Sequence, residues 1–206
     1  MVVRLRGLYV IIDPAVIGGR DPLAVANEAL AGGARLLQLR DKGREKGLQL
    51  PLAMALAEAC RGAGALFIVN DHVDLALACA ADGAHVGQKD LPVTAVRRIT
   101  PADFIVGCST NNAQEALRAQ ADGATYVSVG RLFPTGSKAD TRPATLDTLR
   151  SVRAAVSVPV CAIGGINESN IDSVIAAGAD MVAVIAAVVA ADDVRAAARR
   201  LASRFG

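Results

Sequence analysis

The sequence predicts an α/β fold, a single (β/α)8 barrel of the TIM type occupying 1–206. Three observations predict it. Eight short aliphatic runs alternate with helical patterns from end to end. A small-residue pattern ending in Gly-Ala recurs where helix gives way to strand. Polar and charged residues collect just after the runs, on what would be one face of the barrel. At 206 residues the chain is at the short end for such a barrel. It is 52% hydrophobic but only 3% aromatic, with no Trp, so the core must be aliphatic.

The predicted strands are 8–12, 35–40, 65–69, 84–87, 104–107, 125–129, 158–163 and 181–185, each rich in Val, Ile or Leu or flanked by them. Helices are punctuated between them. Asp21-Pro22 reads as an N-cap with Pro at the first helical position. Asn111 with Gln114 reads as a capping-box variant. Val194, Ala198, Leu201 and Phe205 recur at helical spacing. The segments 31–34, 81–84, 121–124 and 176–179 each close a helix, with Gly expected in the left-handed conformation at C′. The main rival is an open, doubly wound sheet.

Composition excludes several classes. A formal charge of +2, no basic stripe and few aromatics argue against nucleic-acid binding. Cys60, Cys79, Cys108 and Cys161 are far apart with no CxxC, so neither zinc nor a disulfide framework is indicated, and free thiols suit a cytoplasmic protein. No signal-peptide pattern follows Arg4 and Arg6, and the longest apolar run, 181–191, is too short to span a bilayer. The expectation is a cytoplasmic protein with no nucleic-acid or membrane partner and homo-oligomerisation left open.

The residues after each strand define the candidate site. They are Asp13; Gln38, Arg40 and Lys42; Asn70 and Asp71; Gln88 and Asp90; Ser109; the loop 131–142; Gly164 and Gly165; and Ala186 and Ala187. Period two puts Gln38, Arg40 and Lys42 on one side, with the two cations at the barrel mouth, which suits a diphosphate. Arg44, Glu45 and Lys46 read as a solvated run. Asp71 and Asp90 follow adjacent strands and suit Mg²⁺, which takes one or two carboxylates and completes its shell with water and phosphate oxygens. The competing reading of Asp71 is an N-cap of the next helix; for Asp90 that reading is weaker, because Pro92 at N1 would make Leu91 the cap. Pro134, Thr135, Gly136, Ser137 and Lys138 can surround phosphate, and the length of their loop suggests a lid. The Gly164-Gly165 pair lets backbone N–H groups approach a phosphate. His72 is expected on a surface helix and His85 in the barrel interior, in a packing role.

Together these motifs resemble the thiamine-phosphate synthase family. The similar segments are Leu8-Tyr9-Val10-Ile11-Ile12-Asp13, Gln38-Leu39-Arg40-Asp41-Lys42, Asn70-Asp71, His85-Val86-Gly87-Gln88-Lys89-Asp90-Leu91, Gly107-Cys108-Ser109-Thr110, Pro134-Thr135-Gly136-Ser137-Lys138 and Ala162-Ile163-Gly164-Gly165-Ile166. They occur in the family's order across nearly the whole chain. The resemblance implies a transferase that joins an aminopyrimidine diphosphate to a thiazole phosphate with Mg²⁺. It implies that Gln38, Leu39, Arg40, Asp41, Lys42, Asn70, Ser109 and Lys138 bind the diphosphate substrate. Arg40, Lys42, Ser109 and Lys138 would act in catalysis, and Asp71 and Asp90 would hold the metal. Thr135, Gly136, Ser137, Gly165, Ile185 and Ala186 would bind the thiazole phosphate. Three positions depart from the family pattern: Asn111 where His is frequent, Ala186 where Ser is usual, and Ser137 in place of Thr. A related thiazole tautomerase, a phosphosugar isomerase or epimerase, and a regulator that binds thiamine precursors are the alternatives.

Overall fold

A computed structural model describes residues 5–135 and 142–206. Strands and helices alternate as β1 Gly7–Ile12, α1 Pro22–Ala31, β2 Leu36–Leu39, α2 Lys46–Ala63, β3 Leu66–Asn70, α3 Val73–Ala78, β4 Gly83–Val86 and α4 Val93–Ile99. They continue as β5 Ile105–Thr110, α5 Ala113–Ala121, β6 Tyr126–Val129, α6 Leu146–Ala155, β7 Val160–Ile163, α7 Ile171–Ala176, β8 Met181–Val184, α8 Ala186–Val189 and α9 Val194–Ala202. All eight strands are parallel and β1 pairs with both β2 and β8, so the sheet is a closed barrel. That pairing excludes the open-sheet rival.

Alternation along the strands sorts the side chains. Leu8, Val10, Ile12, Leu37, Leu39, Phe67, Val69 and their counterparts face outward into a layer shared with the helices. Tyr9, Ile11, Leu36, Leu66, Ile68, Tyr126, Cys161, Met181 and Ala183 pack inside the barrel. Both faces are apolar over most of each strand, as both-sides burial of a parallel sheet requires. All four cysteines are buried free thiols, as expected.

Helix punctuation follows the sequence in part. Asp21 caps α1, accepting from the N–H groups of Leu23 and Ala24 at 3.3 and 3.1 Å, with Pro22 opening the helix. The α5 cap falls one residue later than expected. Asn112, not Asn111, accepts from the Glu115 N–H at 2.9 Å, and Glu115 in turn accepts from the Asn111 N–H at 2.9 Å. Helix α4 also starts one residue later, with Pro92 itself as N-cap. Three of the four repeated glycines, Gly33, Gly123 and Gly178, have φ near +100° after a helix. Gly83 departs from that rule. It opens β4 without positive φ, and a Cβ there would lie 2.1 Å from the Ile105 carbonyl oxygen. Its smallness serves close strand packing, not a helix end.

The acids near the N-terminal ends of the strands have structural roles. Asp82 accepts from the Phe67 N–H at 2.7 Å. Asp180 accepts from the Val160 N–H at 2.9 Å and pairs with Arg153 at 2.7 Å.

Two glycine substitutions separate packing from propensity. Gly83→Ala forces backbone to move and should lower unfolding free energy by roughly 1–3 kcal/mol. Gly62→Ala, in α2 with open space around the added carbon, should raise it by up to about 1 kcal/mol. Urea denaturation of both variants checks this; equal effects would contradict the packing role of Gly83.

Candidate active site

The strands' C-terminal ends open into a cavity of about 680 Å³, within the range of small-molecule sites. Its walls include Gln38, Arg40, Lys42, Asn70, Asp71, Asp90, Ser109, Thr135, Gly165, Ile185 and Ala186. The fold therefore brings together candidates that lie up to 148 residues apart, from Gln38 to Ala186. Leu39 and Asp41 are not part of the wall. Leu39 packs in the outer aliphatic layer. Asp41 folds back on its own turn, accepting from the N–H groups of Gly43 and Arg44 at 3.0 and 3.1 Å and pairing with the Arg44 side chain. Gly136, Ser137 and Lys138 lie outside the described residues.

Two ion pairs organise the charged side. Arg40 pairs with Asp13, whose side chain is only 3% exposed and whose other oxygen accepts from the Ala15 N–H at 3.0 Å. Lys42 pairs with Asp71. Period two put Gln38, Arg40 and Lys42 on one wall, as expected. Of the neighbouring charge run, Arg44 is tied to Asp41 and Lys46 to exposed Asp74.

Asp71 does not cap α3. His72 occupies the cap position, without a side-chain cap bond. Asp71 itself has φ +62°, and its N–H donates to the His85 carbonyl at 2.8 Å. A non-glycine residue held in the left-handed region is costly, and such strain gathers at functional sites. Here it presents the carboxylate to the cavity. Asp90 lines the same cavity from the loop after β4, with one oxygen accepting from the Gly87 N–H at 2.7 Å. Among the described residues no three His, Cys, Asp or Glu side chains come together in a metal-ligating cluster. Two carboxylates without such a cage suit a hard cation that keeps water and substrate oxygens, as Mg²⁺ does, and not a structural zinc.

The opposite wall comes from β5 to β8. Ser109 bonds His85 Nε2 at 2.9 Å, and His85 Nδ1 bonds the Tyr126 hydroxyl at 2.9 Å. The expectation of a packing role for His85 is thus corrected: it makes polar bonds on both sides and lines the cavity. Asn111 joins the stems of the β6 loop, donating to the carbonyls of Gly130 and Arg142, each at 3.2 Å. Arg142 in turn clamps Glu115 with two bonds of 2.8 Å, and this guanidinium holds the Glu115 carboxyl below its usual range. Gly165 has φ +65°, and a Cβ there would meet the Pro134 carbonyl at 2.6 Å. The glycine pair therefore lets the β6 loop close over β7 as well as exposing backbone to the cavity. After β8 the chain turns at Ile185 into the four-residue α8. A short extra helix after strand 8 is where phosphate-binding barrels commonly hold a phosphate, and its first N–H groups have no intrahelical acceptor.

Tyr9 and Tyr126, to which the sequence assigns no role, both line the cavity. They are the only tyrosines in an aromatic-poor chain, and their inward parity within β1 and β6 was the available signal.

Comparison with known proteins agrees with this geometry. The family described as thiamine monophosphate synthase matches residues 8–188. A thiamine-phosphate synthase of Methanocella arvoryzae is 51% identical over 94% of this chain and 92% of its own length. One of Moorella thermoacetica is 50% identical over 94% and 93%. The solved thiamine phosphate pyrophosphorylase from Pyrococcus furiosus superposes with a TM-score of 0.92 at 38% identity, over 100% of this chain and 98% of that one. A 3-hexulose-6-phosphate synthase, at 19% identity and a TM-score of 0.72, shares the fold. With a family match across almost the whole barrel and relatives half identical over nearly their full length, the chain belongs to the thiamine monophosphate synthase family.

Proposed function

We propose that this chain is a transferase that condenses 4-amino-2-methyl-5-(diphosphooxymethyl)pyrimidine with 4-methyl-5-(2-phosphooxyethyl)thiazole, giving thiamine phosphate and diphosphate. The observation that carries this reading is the polarity of the cavity. Arg40, Lys42, Asp71 and Asp90 line it from the ends of β2, β3 and β4, Arg131 and Arg142 from the stems of the β6 loop, and Gly164, Gly165, Ile185 and Ala186 from the ends of β7 and β8. That is the layout for two phosphorylated substrates meeting over an uncharged floor. The relatives carry the synthase name, so the tautomerase and regulator alternatives are not favoured.

The reaction breaks the bond between the pyrimidine methylene carbon and the diphosphate oxygen. The bonding pair leaves with diphosphate, and the amino-substituted ring stabilises the cation that remains. The thiazole nitrogen then supplies the pair for the new carbon–nitrogen bond. Arg40 and Lys42 face the departing diphosphate, where fixed cations matter most because charge grows as the bond breaks. Buried Asp13 keeps the Arg40 guanidinium in place. Gln38, Asn70 and Ser109 orient the pyrimidine. Asp71 and Asp90 would hold Mg²⁺, which when bound neutralises diphosphate charge. Gly165, Ile185 and Ala186, with Thr135, Gly136 and Ser137, bind the thiazole phosphate, and Lys138 joins the cations. No protein nucleophile is required. The Cys108 and Cys161 thiols are pushed up by burial to about 11 and about 12, so they stay protonated and unreactive at neutral pH. The described helices include none long and apolar enough to cross a membrane.

The direct test is Mg²⁺-dependent formation of thiamine phosphate from the two substrates; absence of product would overturn the reading. Asp71→Asn and Asp90→Asn should each lower turnover by on the order of a hundredfold or more with the fold intact by circular dichroism. Full activity in Asp90→Asn together with unfolding of Asp71→Asn would mean that neither holds the metal. Lys138→Ala should cut turnover far more than it weakens thiazole binding; a raised thiazole KM at unchanged turnover would place Lys138 elsewhere. Ala186→Ser adds one donor near a charged oxygen and should tighten thiazole phosphate binding by less than about tenfold, or about 1.4 kcal/mol. Calorimetric titration of both ligands checks it, and a shift in diphosphate affinity instead would put the wrong substrate against β8.

A further inference from the structure

Beneath the cavity a line of hydrogen bonds crosses the barrel interior through five side chains on five strands. Gln38 Nε2 donates to the Tyr9 hydroxyl at 2.6 Å. The Tyr9 and Tyr126 hydroxyls are 3.1 Å apart. Tyr126 meets His85 Nδ1 at 2.9 Å, and His85 Nε2 meets Ser109 Oγ at 2.9 Å. Both ends of the line, Gln38 and Ser109, line the cavity. Gly107 makes the middle of the line possible. It stands level with His85 on β4 and Tyr126 on β6. A Cβ on it would lie 2.3 Å from the Tyr126 hydroxyl and 2.5 Å from His85 Nδ1. With no side chain on the strand between them, residues from β4 and β6 meet directly.

The line has a direction. An amide nitrogen only donates, so the Tyr9 oxygen accepts from Gln38. Tyr9 is 1% exposed, and its own proton needs an acceptor; the Tyr126 oxygen is the one at hand. If Tyr126 instead donated to Tyr9, the Tyr9 proton would be buried without an acceptor, at a cost of about 1–3 kcal/mol. No buried side-chain nitrogen or oxygen among the described residues lacks a partner. Tyr126 therefore gives its proton to His85 Nδ1. His85 carries its proton on Nε2 and donates it to Ser109. Ser109, already accepting, turns its hydroxyl proton to the cavity. At the other end the Gln38 amide gives one N–H to Tyr9, and its Oε1, which takes no part in the line, is the acceptor a ligand can use. Burial pushes both tyrosines above their ordinary pKa, so both keep their hydroxyl protons.

We infer that Tyr9, Tyr126 and His85 are positioning residues that fix His85 as the Nε2–H tautomer, and so present Ser109 as a hydrogen-bond donor and Gln38 as an acceptor to the substrate. This rests on the synthase reading for its consequence, since an aminopyrimidine offers an amino donor and ring-nitrogen acceptors to such a pair. The tautomer itself does not depend on that reading. Disorder in the line would leave Ser109 free to point its proton back at His85, and the donor it offers the pyrimidine would be lost without any change in the phosphate-binding residues.

The test is a two-bond ¹H–¹⁵N correlation spectrum of protein labelled at histidine, where only His72 and His85 contribute and His72→Gln assigns the pair. His85 should show a protonated Nε2 and a bare Nδ1 in the wild type. Tyr126→Phe should convert that signal to a mixture of tautomers. It should also lower turnover on the order of ten- to a hundredfold, as loss of an orienting partner does, with KM for both substrates within about threefold. A wild-type Nδ1–H signal overturns the inference without needing any variant to fold. So does a Tyr126→Phe protein with unchanged tautomer and turnover. An Nε2–H signal in a wild-type protein that makes no thiamine phosphate supports the directed line and overturns the synthase reading, so the two failures are distinguishable.

Discussion

Closing eight parallel strands into one ring gives every strand two hydrogen-bonded neighbours and divides its side chains strictly into inner and outer sets. The outer set has one task, to meet the helices, and is apolar and mostly aliphatic. The inner set changes character along the strand. It begins with Leu36, Leu66 and Met181, passes through the Tyr9 and Tyr126 level, and ends with Arg40, Asn70 and Ser109 at the mouth. The gradient from oil to charge is therefore built into the alternation itself, and the cavity is where the aliphatic filling stops.

A barrel of this size leaves little room inside, which explains where the interior is small. Gly83 and Gly107 face inward at points where a Cβ would strike a neighbouring strand or its side chains. At Gly107 the vacated space is used for chemistry: two polar side chains from flanking strands meet across it. Tyrosine is suited to this level because its ring fills the apolar interior while its hydroxyl reaches a partner. An aromatic-poor chain has placed both of its tyrosines there.

The mouth is organised by charge pairing. Arg40 and Lys42 each rest on a carboxylate, Asp13 and Asp71. Asp13 is buried and tied down by backbone, so Arg40 is fixed. Asp71 is held at a left-handed backbone position by the His85 carbonyl, which also connects the charged wall to the strand that carries the hydrogen-bonded line. The two halves of the site are therefore mechanically joined through β4.

The sequence by itself determined the barrel, the strand positions to within about three residues, the wall of Gln38, Arg40 and Lys42, and the placement of Asp71 and Asp90 after adjacent strands at the cavity. Those features follow from local periodicity and from the rule that barrel sites sit at one end of the strands, and both are carried by neighbouring letters. It placed the α5 cap one residue early, because Asn111 and Asn112 are both capable caps and only the Glu115 geometry chooses between them. It read Gly83 as a helix end, because a glycine's φ and a glycine's lack of bulk look alike in a sequence. The family resemblance added Leu39 and Asp41 to the site, whereas the alternation sets them opposite Gln38, Arg40 and Lys42, and in the structure Leu39 packs outward and Asp41 is held by its own turn. Only the tertiary structure decided the line from Gln38 to Ser109, since its members come from strands 1, 2, 4, 5 and 6. Their bonds depend on which residues stand level after the ring closes, and no local pattern along the chain carries that register.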